Sequence, residues 1–359
     1  MLVAFRADAS IEIGTGHVMR CLALAEELKY KGHICIFICR EQEGNLEDLI
    51  LRKGFRLHLL DSVQYIERDE HTLNWNDNAL WLGVHWRQDA EETKAVLMNQ
   101  SVDWLVVDHY ALDRSWEKMV AGSAQKIMVI DDLADRVHLC QILIDQTFCR
   151  SSEDYSALVP EKCEVLCGSQ FALLRSEFAE YRDYSLNRRI DASLHQLLIT
   201  MGGADKDNFT GRVLKALLES NLPMSCRIVI VMGETAPWHQ AVKEQAATLP
   251  WEAEVVVGIN NMAEILAESD LVIGAAGSSS WERCVLGVPT IQLVIANNQQ
   301  TIAENLSKAN AIKLVSSLDE LPRYIASYEG WLVGTSINAS RVCDGLGVSR
   351  VIDGMCVTL

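Results

Sequence analysis

Short runs of apolar residues recur along the whole chain, separated by stretches in which apolar residues repeat at helical spacing. Continuous apolar runs of this length are typical of parallel strands that are covered by helices on both faces. In the first half the predicted strands are 2–5, 35–39, 56–60, 104–108, 126–131 and 142–145. In the second half they are 196–200, 227–231, 254–257, 271–274 and 290–294. The pattern predicts an α/β fold with two Rossmann-like, doubly wound parallel-sheet domains.

The strongest shift in composition is the polar, charged stretch 177–191, which we predict to be the interdomain linker. A chain of 359 residues is long enough for two full cores. We therefore expect an N-terminal domain over 1–180 and a C-terminal domain over 190–359. The tail from about residue 331 has weak helical periodicity, and the sequence leaves open whether it packs back on the N-terminal domain.

The charge balance argues against a nucleic-acid partner. With 32 basic and 49 acidic residues the net charge is -17, and no basic stripe of the kind that binds phosphate backbones is present. We expect no nucleic-acid partner, and any anionic substrate must be held by backbone N–H groups and local cations such as Arg6 or Arg20.

The 11 scattered cysteines contain no Cys-x-x-Cys pair, so they are predicted to be reduced, and no zinc site is expected. Lacking a basic leader-like start or a membrane-length apolar run, the chain is predicted to be cytoplasmic and to have no membrane partner. We also expect a monomer.

A glycine-rich loop with a histidine joins the first strand to the first helix. Gly14 and Gly16 remove side chains where a ligand must approach the backbone, and His17 follows them at the start of a helix that ends near Gly32. A dinucleotide fingerprint would need glycine in place of Arg20, and the Gly-Lys-Ser/Thr ending of a P-loop is absent. The sequence therefore leaves two interpretations of His17: a catalytic group, or a helix-cap residue without chemistry.

Aspartates follow several predicted strands of the first half, among them Asp8, Asp108 and Asp131. In doubly wound sheets ligands bind beyond the carboxyl ends of the strands, where these residues fall. Helix capping and loop hydrogen bonding are the alternative roles for each of them.

In the second half a glycine and serine turn follows a strand and opens a helix. Gly277, Ser278 and Ser279 offer approachable N–H groups and hydroxyls for a pyrophosphate, and Glu282 lies one turn further, where it can accept hydrogen bonds from a ribose diol. The alternative is a serine N-cap on a turn of small residues.

Three other segments of the second half are predicted to line the ligand cleft. Gly202 and Gly203 end the first strand of this half and allow close backbone approach. The following Asp205 and Asp207 can be compared with an Asp-x-Asp metal clamp, but we interpret them as helix-capping residues and expect no metal. Met262 opens a helix after a strand, in a place where backbone groups can read a flat base. The segment 297–299 follows another strand end and includes Asn298 and Gln299.

Taken together, the Gly-Thr-Gly-His loop, the Gly-Gly turn and the Gly-Ser-Ser-Ser-x-Glu helix resemble the GT-B class, whose two domains face each other across a cleft and which includes the lipid II-forming murein glycosyltransferase. A narrower resemblance is to the hydrolase family of pseudaminic acid biosynthesis, which cleaves UDP-2,4-diacetamido-2,4,6-trideoxy-β-L-altropyranose. Its motifs here are Arg6-Ala-Asp8, Gly-x-Gly-His17-x-x-Arg20, Asp108-His-Tyr110, Asp131-Asp-Leu-Ala, Asp145-Gln, Gly168-x-Gln-Phe-Ala-Leu-Leu-Arg175 and Asn298-Gln299. The resemblance runs from residue 2 to about residue 310.

The resemblance implies that His17 is the general base, that Tyr110 and Asn298 line the sugar site, and that the serine turn with Glu282 holds UDP. The substrate-binding residues that we predict are Arg6, Asp8, Gly16, Arg20, Tyr110, Asn298 and Gln299. The UDP-binding residues that we predict are Gly202, Gly203, Met262, Gly277, Ser278, Ser279 and Glu282. No cofactor is expected.

The expected reaction is attack of water on the anomeric carbon, with release of UDP and of the free sugar with inversion. The murein transferase usually has Gly-Thr-Gly-Gly-His, whereas a single glycine precedes His17 here, so the histidine is expected to orient water rather than a sugar acceptor. The alternatives are a UDP-sugar-dependent GT-B glycosyltransferase and a non-catalytic sugar-nucleotide sensor. The residues alone do not distinguish one UDP-sugar from another, so the choice of sugar depends on the resemblance.

Overall fold

The computed structural model describes residues 1–62 and 79–358. The chain divides into two compact units, Met1–Leu173 together with Gly347–Leu359, and Leu174–Leu346. Each unit contains one parallel β-sheet with helices beside it, so the predicted α/β fold with two doubly wound sheets is confirmed.

The first unit contains a sheet of seven parallel strands in the order β3-β2-β1-β4-β5-β6-β7. The strands are β1 Leu2–Ala7, β2 Ile34–Arg40, β3 Arg56–Leu60, β4 Trp104–Asp108, β5 Lys126–Ile130, β6 Ile142–Asp145 and β7 Glu164–Cys167. The helices that follow in its main segment are α1 Gly16–Tyr30, α2 Glu47–Arg52, α3 Trp86–Leu97 and α4 Arg114–Val120. Along β1, Val3 and Phe5 enter one apolar cluster and Ala4 enters another, as expected for a strand buried on both faces.

The second unit contains six parallel strands in the order β10-β9-β8-β11-β12-β13. The strands are β8 Gln196–Thr200, β9 Arg227–Met232, β10 Ala253–Val257, β11 Leu271–Ala275, β12 Thr290–Leu293 and β13 Lys313–Val315. The helices are α5 Ser176–Glu180, α6 Arg182–Asn187, α7 Phe209–Leu217, α8 His239–Ala246, α9 Met262–Glu268, α10 Ser279–Val285, α11 Gln300–Lys308, α12 Leu321–Ala326 and α13 Leu332–Ser340. In both sheets the strand order reverses beside the first strand of the unit, which is where doubly wound folds place their ligand sites.

The stretch predicted to be a linker forms α5 and α6, which pack on the second unit. Arg182 donates to the carbonyl oxygens of Ser340 (2.7 Å) and Cys343 (3.0 Å). Arg189 is buried and donates to the carbonyl oxygens of Ser269 (2.6 Å) and Leu266 (3.0 Å). Burial lowers the pKa of Arg189 to about 9, and the carbonyl partners at the end of α9 compensate for the lost hydration. The division between the units therefore precedes this charged stretch.

The C-terminal tail is shared between the units. Residues 331–346, including α13, lie in the second unit, whereas the last helix, α14 Gly347–Val357, lies in the first. Val351, Ile352 and Met355 of α14 join the apolar cluster that also contains residues of α1. The structure thus assigns the end of the predicted 190–359 domain to the first unit. In the ranges 1–62 and 79–358, no helix combines the length and the apolar character needed to cross a membrane.

Candidate active site

His17 is the second residue of α1 and points to the end of β4. A turn held by the Gly14 N–H bond to the carbonyl oxygen of Ser10 (2.8 Å) leads into the helix, and Gly14 has a φ of 82°, which favours glycine. Nδ1 of His17 lies 2.6 Å from Oδ1 of Asp108, and the histidine is only 7% exposed. Because the imidazole bonds to a strand-end carboxylate and not to N–H groups of its own helix, the capping interpretation of His17 does not describe its position.

Arg20, one turn further along α1, binds the same carboxylate. Its Nε donates to Oδ2 of Asp108 at 2.6 Å and its Nη2 donates to Oδ1 at 2.7 Å. Burial opposes ionisation of Asp108, but the charge of Arg20, aided by His17, outweighs burial and lowers the pKa of Asp108 well below its ordinary value. An ionised carboxylate can only accept, so Nδ1 of His17 must carry the proton. Nε2 is then the basic nitrogen, and it makes no hydrogen bond to any residue that the structure describes.

Tyr110 and Asp132 extend this arrangement. The Tyr110 hydroxyl donates to Oδ2 of Asp132 at 2.7 Å, and Nη1 of Arg20 donates to the same oxygen at 2.5 Å. The Tyr110 ring packs edge to face against the His17 ring, with 4.5 Å between the ring centroids. The ring of the partly buried Trp81 lies 6.0 Å from the Tyr110 ring, also measured between centroids. The structure therefore brings together three of the predicted residues, His17, Arg20 and Tyr110, and adds an aromatic surface that the sequence did not indicate.

Arg6 and Asp8, which we predicted to bind substrate, lie in a buried ion-pair network at the end of β1. Arg6 forms paired hydrogen bonds to Asp8 (2.5 and 2.9 Å) and to Asp89 (3.2 and 2.7 Å), and neither Arg6 nor Asp8 is exposed. Burial opposes ionisation of Asp89, yet Arg6 and Arg40 outweigh it and lower the pKa of Asp89 to about 2. The polar atoms of Arg6 are committed to Asp8 and Asp89, and Oδ1 of Asp8 also accepts the N–H of Arg40 at 2.7 Å, so the network ties the ends of β1 and β2 to α3. Gly16 is partly buried at the start of α1.

The other strand-end aspartates of the first unit also pair with arginines. Asp131 lies 2.6 Å from Arg136, and Asp145 lies 2.6 Å from Arg150. The capping alternative holds in part for Asp131, which also accepts the N–H of Ala134 at 2.9 Å. These carboxylates lie at or just beyond the carboxyl ends of parallel strands, where the strand-end rule predicts them, whereas their buried cationic partners carried no local signal in the sequence.

In the second unit the serine turn has the predicted form. Gly277 has a φ of 126°, a conformation that favours glycine, and α10 begins at Ser279. Ser278 is the N-cap residue but makes no side-chain capping bond, so its hydroxyl is not used in the way the alternative interpretation requires. Arg283 is buried beside the turn, and its Nη1 donates to the Ser279 hydroxyl at 3.2 Å. With its oxygen accepting from Arg283, the Ser279 hydroxyl keeps its own hydrogen available for donation to an anion.

Glu282 lies on the first turn of α10 and is partly buried. Burial raises the pKa of Glu282 to about 7, although the charges of Arg175 and Arg283 act in the opposite direction. Within the described part of the chain its carboxyl accepts no hydrogen bond. A carboxyl group that is poorly solvated and unbonded is suited to accept hydrogen bonds from a diol.

The Gly-Gly turn is tightly packed against a third glycine. Gly202 is exposed with a φ of 88°, and a Cβ on Gly233 would lie 2.0 Å from the carbonyl oxygen of Gly203. Asp205 accepts the N–H groups of Phe209 (2.7 Å) and Thr210 (3.0 Å) at the start of α7, which is the capping role that we predicted for it.

The remaining predicted residues of the second unit lie at strand ends. Met262 is the first residue of α9. Asn298 is exposed in a short 3₁₀ turn, and the neighbouring Gln299 accepts the N–H of Ile295 at 3.0 Å. A Cβ on Gly277 would lie 3.7 Å from Nε2 of Gln299, so the structure brings Gln299 to the serine turn.

Comparison with known proteins supports both the fold and the resemblance. Residues 164–326 match the family model of the glycosyltransferase family 28 C-terminal domain. The chain is 28% identical over 309 residues to the UDP-2,4-diacetamido-2,4,6-trideoxy-β-L-altropyranose hydrolase of Campylobacter jejuni, covering 86% of this chain and 97% of that protein. It is 22% identical over 316 residues to the spore coat polysaccharide biosynthesis protein SpsG of Bacillus subtilis, covering 87% of this chain and 82% of that protein.

Solved structures of glycosyltransferases show the same fold. Acinetobacter baumannii MurG superposes with a TM-score of 0.65 at 16% identity, with 99% of each chain covered. The calicheamicin glycosyltransferase CalG4 gives a TM-score of 0.63 at 13% identity, covering 100% of this chain and 98% of that one. The predicted GT-B fold and the resemblance to the hydrolase are thereby confirmed.

Proposed function

We propose that the protein is a UDP-sugar hydrolase that uses water to break the anomeric C–O bond, releasing UDP and the free sugar with inversion. The observation that carries this proposal is the pairing of His17 with Asp108, because it fixes Nε2 as an unbonded base at the carboxyl edge of the first sheet. The 28% identity to the C. jejuni hydrolase supports UDP-2,4-diacetamido-2,4,6-trideoxy-β-L-altropyranose as the substrate, and pseudaminic acid biosynthesis as the pathway.

In the proposed step, the water oxygen bonds to the anomeric carbon while the bond from that carbon to the β-phosphate oxygen breaks. The electron pair of the broken bond leaves with UDP, and one proton of the water passes to Nε2 of His17. The resulting imidazolium is stabilised by the carboxylate of Asp108, which keeps its bond to Nδ1 throughout. Attack from the face opposite the leaving group gives inversion at the anomeric carbon.

The second unit is proposed to bind the leaving group. The hydroxyls of Ser278 and Ser279 would donate to the diphosphate as its charge grows, which favours the transition state over the ground state. The backbone of Gly202 and Gly203 would form a further wall, Glu282 would accept from the ribose hydroxyls, and the start of α9 at Met262 would lie against the base. We propose that no metal takes part.

The sugar is proposed to lie against Tyr110 and Trp81, with Asn298 and Gln299 as further contacts. Aromatic faces bind the C–H edges of a deoxygenated sugar well, and Trp81 is only partly buried.

A glycosyltransferase is the second candidate, because residues 164–326 match the C-terminal domain of a glycosyltransferase family. The two functions differ in the nucleophile. A hydrolase releases UDP and reducing sugar from the UDP-sugar alone, whereas a transferase needs an acceptor hydroxyl. A panel of UDP-sugars assayed for UDP release without acceptor separates the two, and it also tests the choice of sugar.

The mechanism is tested by running the reaction in ¹⁸O-labelled water with a chelator present. The label is expected on the anomeric hydroxyl of the sugar, and the rate should not change with chelator. Label on the UDP phosphate would mean attack at phosphorus and would refute the mechanism.

The role of His17 is tested by substitution. His17→Asn should lower kcat by about 100-fold or more, the usual loss for a general base, while UDP binding measured by calorimetry is kept. His195→Asn is the matched control, because His195 is exposed in the second unit.

A further inference from the structure

Arg20 uses all three guanidinium nitrogens on two different carboxylates. Nε and Nη2 bind the two oxygens of Asp108 at 2.6 and 2.7 Å, and Nη1 binds Asp132 at 2.5 Å. The residue is 5% exposed, and Asp108 is fully buried. These bonds use three of the five guanidinium N–H groups, and the burial of Arg20 leaves little access for a further anionic ligand.

The two carboxylates that Arg20 joins serve different parts of the proposed site. Asp108 accepts from Nδ1 of His17 and so fixes which nitrogen is the base. Asp132 accepts from the hydroxyl of Tyr110 and so orients the ring that stands edge to face against the imidazole. Arg20 is therefore the common cationic partner of a water-activating pair and a sugar-contacting pair.

We propose that Arg20 is a positioning residue that couples the His17 base to Tyr110, and that it does not bind substrate. The proposal deepens the proposed function and depends on it for the roles of His17 and Tyr110. It replaces the direct substrate contact that the sequence suggested for Arg20.

The charges around Arg20 explain why a planar, permanently charged group is needed there. The titratable groups facing it are His17 and Cys21 on α1, Asp108 and Tyr110 at the end of β4, and Asp132 after β5. When Nε2 takes a proton, the imidazolium forms next to a guanidinium whose Nη2 is 3.5 Å from Nδ1. The two cations can coexist because the carboxylates Asp108 and Asp132 lie against them, whereas a protonated Asp108 would leave like charges together.

The test compares Arg20→Lys and Arg20→Met in steady-state hydrolysis of the UDP-sugar. Loss of positioning should lower kcat by about 100-fold in Arg20→Met and leave KM within about threefold, as expected when only transition-state interactions are lost. Arg20→Lys should recover part of kcat, because an ammonium group keeps the charge but cannot hold both carboxylates. Lys31→Met removes a charge from the end of the same helix, where the side chain is 42% exposed, and should change neither constant.

A second measurement, by NMR, reports directly on how His17 is positioned. In ¹⁵N-histidine-labelled protein, the proton on Nδ1 of His17 should give a low-field signal, identified by its loss in His17→Asn. We expect this signal to shift or broaden in Arg20→Lys, and its pH dependence to change. The signal does not require turnover, so it tests the coupling even if no UDP-sugar is hydrolysed, an outcome that would defeat the proposed function instead.

The coupling to Tyr110 is tested by combining Arg20→Lys with Tyr110→Phe. If Arg20 acts on the ring through Asp132, the losses in kcat/KM should be non-additive by about threefold or more. The proposal is overturned if KM rises with kcat unchanged in both Arg20 variants, if the Nδ1 signal is the same in Arg20→Lys as in the unaltered protein, or if the two losses simply add. Should Arg20→Met fail to fold, Arg20→Lys decides among these outcomes.

Discussion

Asp108→Asn should remove most of the turnover while leaving UDP binding unchanged. Both carboxylate oxygens accept from Arg20, and Oδ1 also accepts from His17 at 2.6 Å. An Asn oxygen at the Oδ1 position keeps the bonds from Nδ1 of His17 and Nη2 of Arg20, but the neutral amide no longer supplies the negative charge that stabilises the imidazolium. The amide NH₂ then faces Nε of Arg20, so a donor opposes a donor and the guanidinium holds the His17 partner less firmly.

The size of the loss follows from the bond that is removed. A hydrogen bond to a charged group contributes about 1.5–3 kcal/mol, which corresponds to a roughly 10- to 150-fold change in rate. The equivalent change in a Ser-His-Asp triad costs about 10⁴-fold, which sets the upper end of the expected loss. We therefore expect kcat to fall by about 10²- to 10⁴-fold, with little change in KM.

The assay is initial-rate UDP release, with UDP affinity from calorimetry and melting by circular dichroism as checks on binding and folding. Asp103→Asn is the matched control, since Asp103 precedes the other end of the same strand and accepts the N–H of Leu2 at 2.7 Å. Turnover of Asp108→Asn within threefold of the unaltered protein, together with a large loss in His17→Asn, would refute the reasoning. His17 would then act without help from the carboxylate.

Three further predictions concern the second unit. Gly233→Ala should displace the Gly203 carbonyl and weaken UDP binding in calorimetry. Gly334→Ala is the control, because a Cβ there meets no atom within 4 Å, and it should leave UDP binding unchanged. Equal UDP affinities of the two variants would contradict this prediction. Glu282 has its folded pKa raised to about 7 from 4.5, so its contribution to stability is full below pH 4.5 and is lost as the pH rises through 7. Glu282→Gln should therefore melt higher than the unaltered protein near pH 8 and equally near pH 4, and a constant difference would disprove the assignment. Arg189→Met should lower the free energy of unfolding by about 2–4 kcal/mol in urea denaturation, because buried carbonyl groups lose their donor; a change below about 0.5 kcal/mol would mean that water replaces the guanidinium.

Most of the fold was predictable because the inner strands are continuous apolar runs. The runs at 104–108 and 271–274 correspond to β4 and β11, which are fully buried. The two strands that the pattern did not indicate, β7 and β13, are the outermost on one side of each sheet. They have 4 and 3 residues and are only partly buried, so few of their positions need apolar side chains.

The charged stretch 177–191 was misjudged for a different reason. Composition shows that a segment is rich in arginine, but not whether the guanidinium groups are in water or against carbonyl oxygens. Arg182 and Arg189 have the second kind of environment, since their donors reach the ends of α13 and α9. Because those carbonyl groups belong to residues far along the chain, no local pattern could reveal the contact.

For the candidate site too, local features could be predicted from the sequence, whereas contacts between distant residues could not. His17 and Asp108 were found because a glycine loop and a strand end are local features, and parallel strands bring their carboxyl ends to one edge. Arg20 was also singled out, but the sequence did not indicate the positioning role that we propose, because that role depends on Asp132, which lies 112 residues away. A cation near a predicted anion site looks like a ligand contact until its buried partners are known. Because two carboxylates already occupy the guanidinium, we propose that the diphosphate is bound by other donors and that the first unit activates water.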